Sequence, residues 1–153
     1  MISFQELFTS PIFWAIVVSV VVAQAVKIFL LVFKQQQKFV LNDIFVTGNM
    51  PSAHAAIVTA LVSILFITEG FSSLFFVSLV FSAIVIRDAV GVRRTVGEES
   101  KVLGNVIAAL KKKFHITIPQ KIHQSLGHQP IEVIVGVAIG IAASVMVYII
   151  FLI

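Results

Sequence analysis

The sequence predicts an all-α fold: an integral membrane helical bundle of about four transmembrane helices, with an amphipathic helix on the cytoplasmic side. Of the 153 residues, 59% are hydrophobic and 12% are charged, with a mean hydropathy of +1.08. Soluble domains have about 45–50% apolar and about 25% charged residues. The apolar residues form long runs, and most Lys and Arg residues lie in two of the connections between them. We therefore expect a single membrane domain over residues 1–153.

The predicted spans are the four apolar runs Ile12–Phe33, Ala53–Thr68, Phe71–Ile86 and Ile131–Ile153. The first and last runs reach the roughly 20 residues that a helix needs to cross a bilayer, and the middle two are near the lower limit. Only Glu69 and Gly70 separate the middle two runs, which indicates a tight helical hairpin. The start of the chain lacks the basic segment of a signal peptide, so we expect the first run to remain a membrane helix.

The basic residues predict how these spans are oriented. They follow the first run or lie between the third and fourth runs, except Lys27, which lies inside the first run near its end. The N-terminus, the turn at Glu69 and the C-terminus carry no Lys or Arg. By the positive-inside rule, both basic connections are cytoplasmic. We therefore expect both termini to lie outside the cell and the polar loops to lie in the cytoplasm.

The longer basic connection contains a predicted helix of its own. The segment EESKVLGNVIAALKKKF places four apolar residues on one helical face and ends on three lysines; the four are Val102, Val106, Ala109 and Leu110. This pattern is typical of an amphipathic helix that lies along an anionic cytoplasmic membrane surface. A ligand-binding role for this helix is the alternative.

Three polar segments lie at the same predicted membrane face. They are GNMPSAH before the second span, RDAVGVRR after the third and LGHQPIE before the fourth. The helix that opens after Pro51 presents backbone N–H groups that suit an anion such as phosphate. Arg87, Arg93 and Arg94 offer bidentate guanidinium groups for phosphate oxygens, although arginines here would also serve as membrane anchors. Pro51 followed by Ser52 is also an ordinary helix start.

Histidines and acids in these segments suggest proton chemistry. His54 and His128 can exchange protons near neutral pH. Glu132 follows His128 by one helical turn, so its carboxylate can face the imidazole and hold one tautomer, which makes His128 a plausible nucleophile or base. Asp88 ends an apolar span, where an acid usually pairs with an arginine or orients one.

The fourth span carries small residues every four positions. His128, Glu132, Gly136, Gly140 and Ser144 share this spacing, and GVAIG is a G-x-x-x-G motif. Such a face lets another helix approach closely and would turn the His128 and Glu132 pair into the bundle. The partner helix could belong to the same chain or to a second copy, and the second case predicts a homo-oligomer through Gly136 and Gly140.

Together, these segments resemble the divergent branch of the PAP2 superfamily, which comprises type-2 phosphatidic acid phosphatases and vanadium haloperoxidases. GNMPSAH, DAVGVRR and LGHQPIEVIVG match the hallmark segments of that branch, and the resemblance covers nearly the whole chain. It implies a small protein of the bacterial cell membrane. It also implies a histidine nucleophile that forms a phosphohistidine, a second histidine as general acid, and Lys and Arg side chains that hold phosphate.

The family motifs carry over residue by residue. PSAH matches the family's P-S-G-H with alanine in place of glycine, so the resemblance implies Ser52 in phosphate binding and His54 as the acid. His128 matches the nucleophile, and Glu132 stands where an Asp orients it. Asp88, Asn49 and Gly127 are implied as supporting residues of the hallmark segments.

Three further positions depart from the family pattern. In the K-x6-R-P motif, Lys27 is retained, but Lys34 and Gln35 follow in place of Arg and Pro. Six residues before His128, Ile122 stands in place of an Arg. We expect Lys27 together with Arg93 and Arg94 to neutralise the phosphate instead.

The resulting prediction is a membrane-embedded phosphatase that acts on a lipid phosphate or another phosphate ester. A catalytically inactive phosphate-lipid binder, carrier or assembly protein is the alternative, and a channel is weaker because no polar stripe crosses the bilayer. Membrane lipid is the expected surrounding, and we expect no nucleic-acid partner and no cofactor or metal. Cytoplasmic carboxylates leave a Mg²⁺ site as a minority alternative; they are Asp43, Asp88, Glu98 and Glu99.

Overall fold

The computed structural model describes residues 8–34, 50–114 and 129–153 of the chain. Five long helices account for most of these residues: α1 Pro11–Lys34, α2 Ala53–Glu69, α3 Ser73–Val90, α4 Val92–Phe114 and α5 Pro130–Leu152. No strand occurs in these three ranges. The predicted all-α membrane bundle is confirmed, and each predicted span agrees with a helix to within a few residues.

Length and composition identify three helical segments that could cross a membrane: 11–32, 73–114 and 130–152. The remaining apolar helix, α2, has 17 residues. Many residues of α1 and α5 are Val or Ile, which favour strands in soluble proteins. Inside a bilayer, however, every backbone N–H and C=O must be satisfied within the protein, and a helix does this within a single segment.

The predicted hairpin between α2 and α3 is confirmed. Gly70 ends α2 with a φ of +66°, a conformation that favours glycine, and its N–H donates to the carbonyl of Phe66. Ser72 then caps α3, because its Oγ accepts from the N–H of Phe75 at 3.1 Å. The Ser72 hydroxyl also donates to the Glu69 carboxylate at 2.9 Å. This cap explains why α3 begins at Ser73 rather than at the predicted Phe71.

The central pair of the bundle is α2 and α5, which share the most extensive contact. Helix α1 packs against both of them, and α3 packs mainly against α2. Helix α4 contacts α3 alone among the helices of the described ranges.

The small-residue face of α5 contacts α2 along its length. A Cβ atom added at Gly136 would collide with the Ser52 carbonyl oxygen, and one added at Gly140 would lie 2.5 Å from the Ala56 carbonyl oxygen. One turn further along, the Ser144 hydroxyl donates to the carbonyl of Ala60 at 2.9 Å. The predicted close approach is confirmed between two helices of one chain. Association of copies through the same glycines stays a prediction, and within one chain both glycines are already covered.

Two small clusters of buried side chains show in which direction each helix runs relative to its neighbours. Ala15 of α1 packs with Ile64 of α2 and Val147 of α5 at one end. Ala55 of α2 packs with Ala89 of α3 and Val133 of α5 at the other end. Helix α1 therefore runs antiparallel to α2 and α5. We call the second end the basic end: it contains the last turns of α1 and α3 and the first turns of α2 and α5.

Candidate functional site at the basic end

A lysine lies inside the bundle near the basic end. Helix α1 buries one residue in four along the face that packs on its neighbours: Ala15, Ser19, Ala23, Lys27 and Leu31. Lys27 is only 6% exposed. An ionisable side chain buried within a membrane helix is costly, and such residues usually belong to a functional site. The structure thus buries Lys27 within the bundle, and its expected contact with phosphate stays a prediction.

Helix register gives the depth of Lys27 relative to the other site residues. Lys27 follows Ala15 by twelve residues, and Ser52 precedes Ile64 by the same number. Because Ala15 packs with Ile64 and the helices are antiparallel with a rise of about 1.5 Å per residue, Lys27 lies near the level of Ser52. The same count from Val147 on α5 leads to Val135, about one turn from Glu132.

The first turns of α2 and α5 are hydrogen-bonded to each other at Ser52. The Ser52 N–H donates to the Glu132 carbonyl at 3.0 Å, and the whole residue is buried. Its Oγ accepts from the N–H of Ala55 at 3.4 Å and so caps α2. The preceding peptide bond, Met50–Pro51, is cis. Ser52 therefore has a structural role, and its predicted contact with phosphate stays a prediction.

Glu132 is half-buried in the first turn of α5. One oxygen of its carboxylate accepts from the backbone N–H of Gln129 at 3.1 Å, which stabilises the helix start. Gln129 directly follows His128, so the carboxylate lies beside the neighbour of the predicted nucleophile. His128 itself, with Gly127 and Asn49, lies outside the described residues.

His54 is the second residue of α2 and lies on the surface of the basic end. Its side chain is exposed, whereas Ala55 and Ala56, the next two residues, are buried. The structure thus keeps His54 at the same end of the bundle as Lys27 but outside the packed core.

The last turn of α3 joins the same end. Ala89 packs against Ala55 and Val133, and the preceding residue, Asp88, is half-buried. Arg93 and Arg94 lie in the first turn of α4, four and five residues after Ala89, and their side chains lie outside the described part of the chain. The backbone therefore carries both arginines close to the basic end.

One further polar residue inside α1 was not predicted. Gln24 precedes Lys27 by three residues, and its Oε1 is buried with no hydrogen-bond partner within the described ranges. A buried amide oxygen without a partner costs roughly 1–3 kcal/mol. The signal available in the sequence was a lone amide within an apolar run. Gln24 and Lys27 make the inner part of α1 polar on one side.

A metal site receives no support from the described side chains. Within those ranges, no group of three or more His, Asp or Glu residues is arranged to hold a metal ion. Of the carboxylates considered for Mg²⁺, Asp88 lies on α3, Glu98 and Glu99 lie on α4, and Asp43 lies outside the described residues.

Comparison with known proteins agrees with this architecture. The family model described as "Divergent PAP2 family" matches residues 8–143. A relative from Bacillus subtilis (strain 168), named "Uncharacterized membrane protein YuiD", is 39% identical over 116 residues, which cover 65% of this chain and 70% of the relative. No solved structure matches the chain. Because the family model covers α1 to α4 and the first part of α5, which is well over half of the chain, this membrane protein belongs to the divergent PAP2 family.

Proposed function

We propose that the protein is a membrane-embedded phosphatase that binds a lipid phosphate or another phosphate ester at the basic end and hydrolyses it through His128. The observation that carries this proposal is the burial of Lys27 in the packed face of α1, near the level of the first turn of α2. A phosphate group is a chemically suitable ligand at this lysine, because an ammonium group binds phosphate oxygens through charge-assisted hydrogen bonds.

The surroundings of Lys27 favour an anion. The first turn of α2 presents backbone N–H groups and the positive end of the helix dipole toward the basic end. Arg93 and Arg94 follow α3 at the same end and can supply the guanidinium that position 122 lacks. Together these groups would neutralise the charge on a phosphate and fix its orientation, which is the main requirement of phosphoryl transfer.

The proposed reaction has two steps. In the first step, a ring nitrogen of His128 attacks phosphorus while the ester P–O bond breaks, and His54 gives its proton to the leaving oxygen. In the second step, water attacks the phosphohistidine, passes a proton to His54 and releases inorganic phosphate. Glu132 would keep the His128 imidazole in the reactive tautomer. The exposed position of His54 suits an acid that must exchange protons with water.

A binding protein without turnover is the second candidate. Two observations favour it: Ile122 replaces the arginine of the third family motif, and the hydroxyl of Ser52 and the carboxylate of Glu132 already serve as helix caps. Loss of a phosphate-binding group can reduce turnover by about 10²–10³ while leaving binding in place. In this case the basic end would hold a phosphorylated lipid without cleaving it.

Purified protein in detergent, assayed for phosphate release from a panel of lipid phosphates and small phosphate esters, tests the first proposal. We expect turnover in the wild type and none in His128→Ala. We expect Lys27→Met to lower kcat/KM by about 10²–10³. The matched control is Lys101→Met, which removes an exposed lysine of α4 and should leave kcat/KM unchanged.

Binding of vanadate, an analogue of the phosphoryl-transfer transition state, separates the two candidates. A wild type that binds vanadate or lipid phosphate but releases no phosphate from any substrate would refute the phosphatase and support the binder. A wild type that neither binds nor hydrolyses would refute both. The thermal stability of Lys27→Met is measured beside that of the wild type, so that loss of binding by a folded variant is distinguished from unfolding.

A further inference from the structure

Helix α4 carries an apolar face that no helix of the described chain covers. Its 23 residues contact α3 alone among those helices. Five large apolar side chains between residues 102 and 114 are at least 40% exposed: Val102, Leu103, Val106, Leu110 and Phe114. With about 3.6 residues per turn, these positions share one face of the helix. Another surface must cover this face, since apolar side chains aligned in this way are unfavourable in water.

The charges around this face are unevenly distributed. At its C-terminal end, Lys113 falls within this face and Lys111 lies beside it, and the Lys113 ammonium lies 5.5 Å from the centre of the Phe114 ring. Glu98 and Glu99 lie about one turn before Val102, and Glu99 falls on the apolar side of the helix. The apolar face therefore ends at its N-terminal side on negative charge and at its C-terminal side on positive charge.

Helix α4 begins directly after a helix that belongs to a candidate membrane span. Helix α3 is part of a candidate span, its last turn lies at the basic end, and α4 begins at Val92, directly after Gly91. The helical hydrogen bonds continue across this joint, from the Gly91 N–H to the Arg87 carbonyl and from the Thr95 N–H to the Gly91 carbonyl. The chain thus passes from α3 into α4 without a long connection.

We propose that residues 102–114 of α4 form a docking surface for the anionic phospholipid leaflet at the basic end. The apolar side chains would enter the acyl boundary, and the long stems of Lys111 and Lys113 would place their ammonium groups among the phosphates. Each lysine near an anionic membrane surface contributes roughly a fivefold preference for it. Glu98 and Glu99 would be repelled by the same leaflet, so the surface begins at Val102. This inference does not depend on phosphatase activity.

Single cysteines test the surface in the full chain, because the native sequence has none. Spin labels at Leu103→Cys, Val106→Cys and Leu110→Cys would report on the apolar face. Labels at Asn105→Cys and Ala108→Cys, both exposed on the other side of the helix, are the matched controls. The protein is placed in nanodiscs of phosphatidylcholine with about one third phosphatidylglycerol, and collision with dissolved oxygen is compared with collision with a water-soluble nickel chelate.

We expect the three labels on the apolar face to collide with oxygen and to be shielded from nickel, and the two controls to show the reverse. In nanodiscs of phosphatidylcholine alone, this contrast between the apolar-face labels and the control labels should be weaker. Lys113→Gln should reduce it by up to roughly fivefold. Lys101→Gln, on the opposite side of α4, should leave it unchanged.

Two results would overturn the proposal. Nickel collision at all five positions would mean that α4 lies in water. Shielding of the apolar face from both oxygen and nickel would mean that protein covers it, either a second copy or another segment of this chain.

Discussion

Substitution of Gly140 by alanine tests the contact between α2 and α5 in its simplest form, because it adds a single methyl group. The new Cβ would lie 2.5 Å from the Ala56 carbonyl oxygen, 2.9 Å from the Ala60 nitrogen and 2.9 Å from the Thr59 Cβ. Two of these atoms belong to the backbone, so they cannot move away by a change of rotamer. The helices must instead separate by roughly 1 Å to restore van der Waals distances.

The free energy of unfolding should fall as a result. Overpacking of this kind costs about 1–3 kcal/mol. Separation of the helices also lengthens the hydrogen bond from Ser144 to Ala60, which is worth roughly 1 kcal/mol. The higher helix propensity of alanine acts in the opposite direction, by up to about 1 kcal/mol. We therefore expect a net loss of about 1–3 kcal/mol.

Unfolding in mixed micelles of mild detergent and dodecyl sulfate measures this change. Ala138→Gly, at an exposed position of α5, is the control that reports helix propensity alone. We expect Gly140→Leu to be more damaging than Gly140→Ala, and more damaging than Val137→Leu, because Val137 is only half-buried beside the cluster at the basic end. A Gly140→Ala variant as stable as the wild type, or more stable, would refute the close contact, since only the propensity effect would remain.

Three further predictions concern orientation and the basic end. Single cysteines at Ser3 and Gln124 should react with a membrane-impermeant reagent from opposite sides of the membrane, and the cysteine at Gln124 should react only from the cytoplasm. Labelling of the cysteine at Gln124 from outside would show that the protein has the opposite orientation. Glu132→Gln should reduce phosphate release less than His128→Ala, because glutamine can keep the hydrogen bond from Gln129; equal loss would assign the essential role to the carboxylate charge. Gln24→Met should raise the stability of the unliganded protein by about 1 kcal/mol, because it removes a buried acceptor that has no hydrogen-bond partner within residues 8–34, 50–114 and 129–153; a thermal scan showing destabilisation would mean that the amide is satisfied.

The sequence predicted the elements of the fold well because each has a local cause. The spans follow from apolar runs of sufficient length, and the hairpin follows from Glu69 and Gly70, where only a glycine readily adopts the positive φ of the turn. The amphipathic character of α4 follows from the spacing of its own residues. None of these features depends on which helix is the neighbour of which.

The candidate site could be predicted only in part. The sequence placed Ser52, His54, Asp88 and Glu132 at one membrane face, and the structure brings the helix ends that carry them together at the basic end. The sequence offered Ser52 as an ordinary helix start, and the structure shows that cap. The sequence did not reveal the second cap, at Glu132, because a cap depends on which backbone N–H group lies within reach. The placement of His128 beside these residues stays a prediction.

Only the tertiary structure decided which faces of the helices meet. The small-residue stripe of α5 was visible in the sequence, but its partner, α2, was not, because lipid tails and apolar side chains are nearly equivalent surroundings for a membrane helix. For the same reason, the sequence could not decide whether Lys27 faces lipid, water or protein. The sequence by itself determined where helices form and which residues share a face; the structure turned Lys27 toward α2 and α5, because close packing of backbones selects among faces that hydrophobicity alone cannot distinguish.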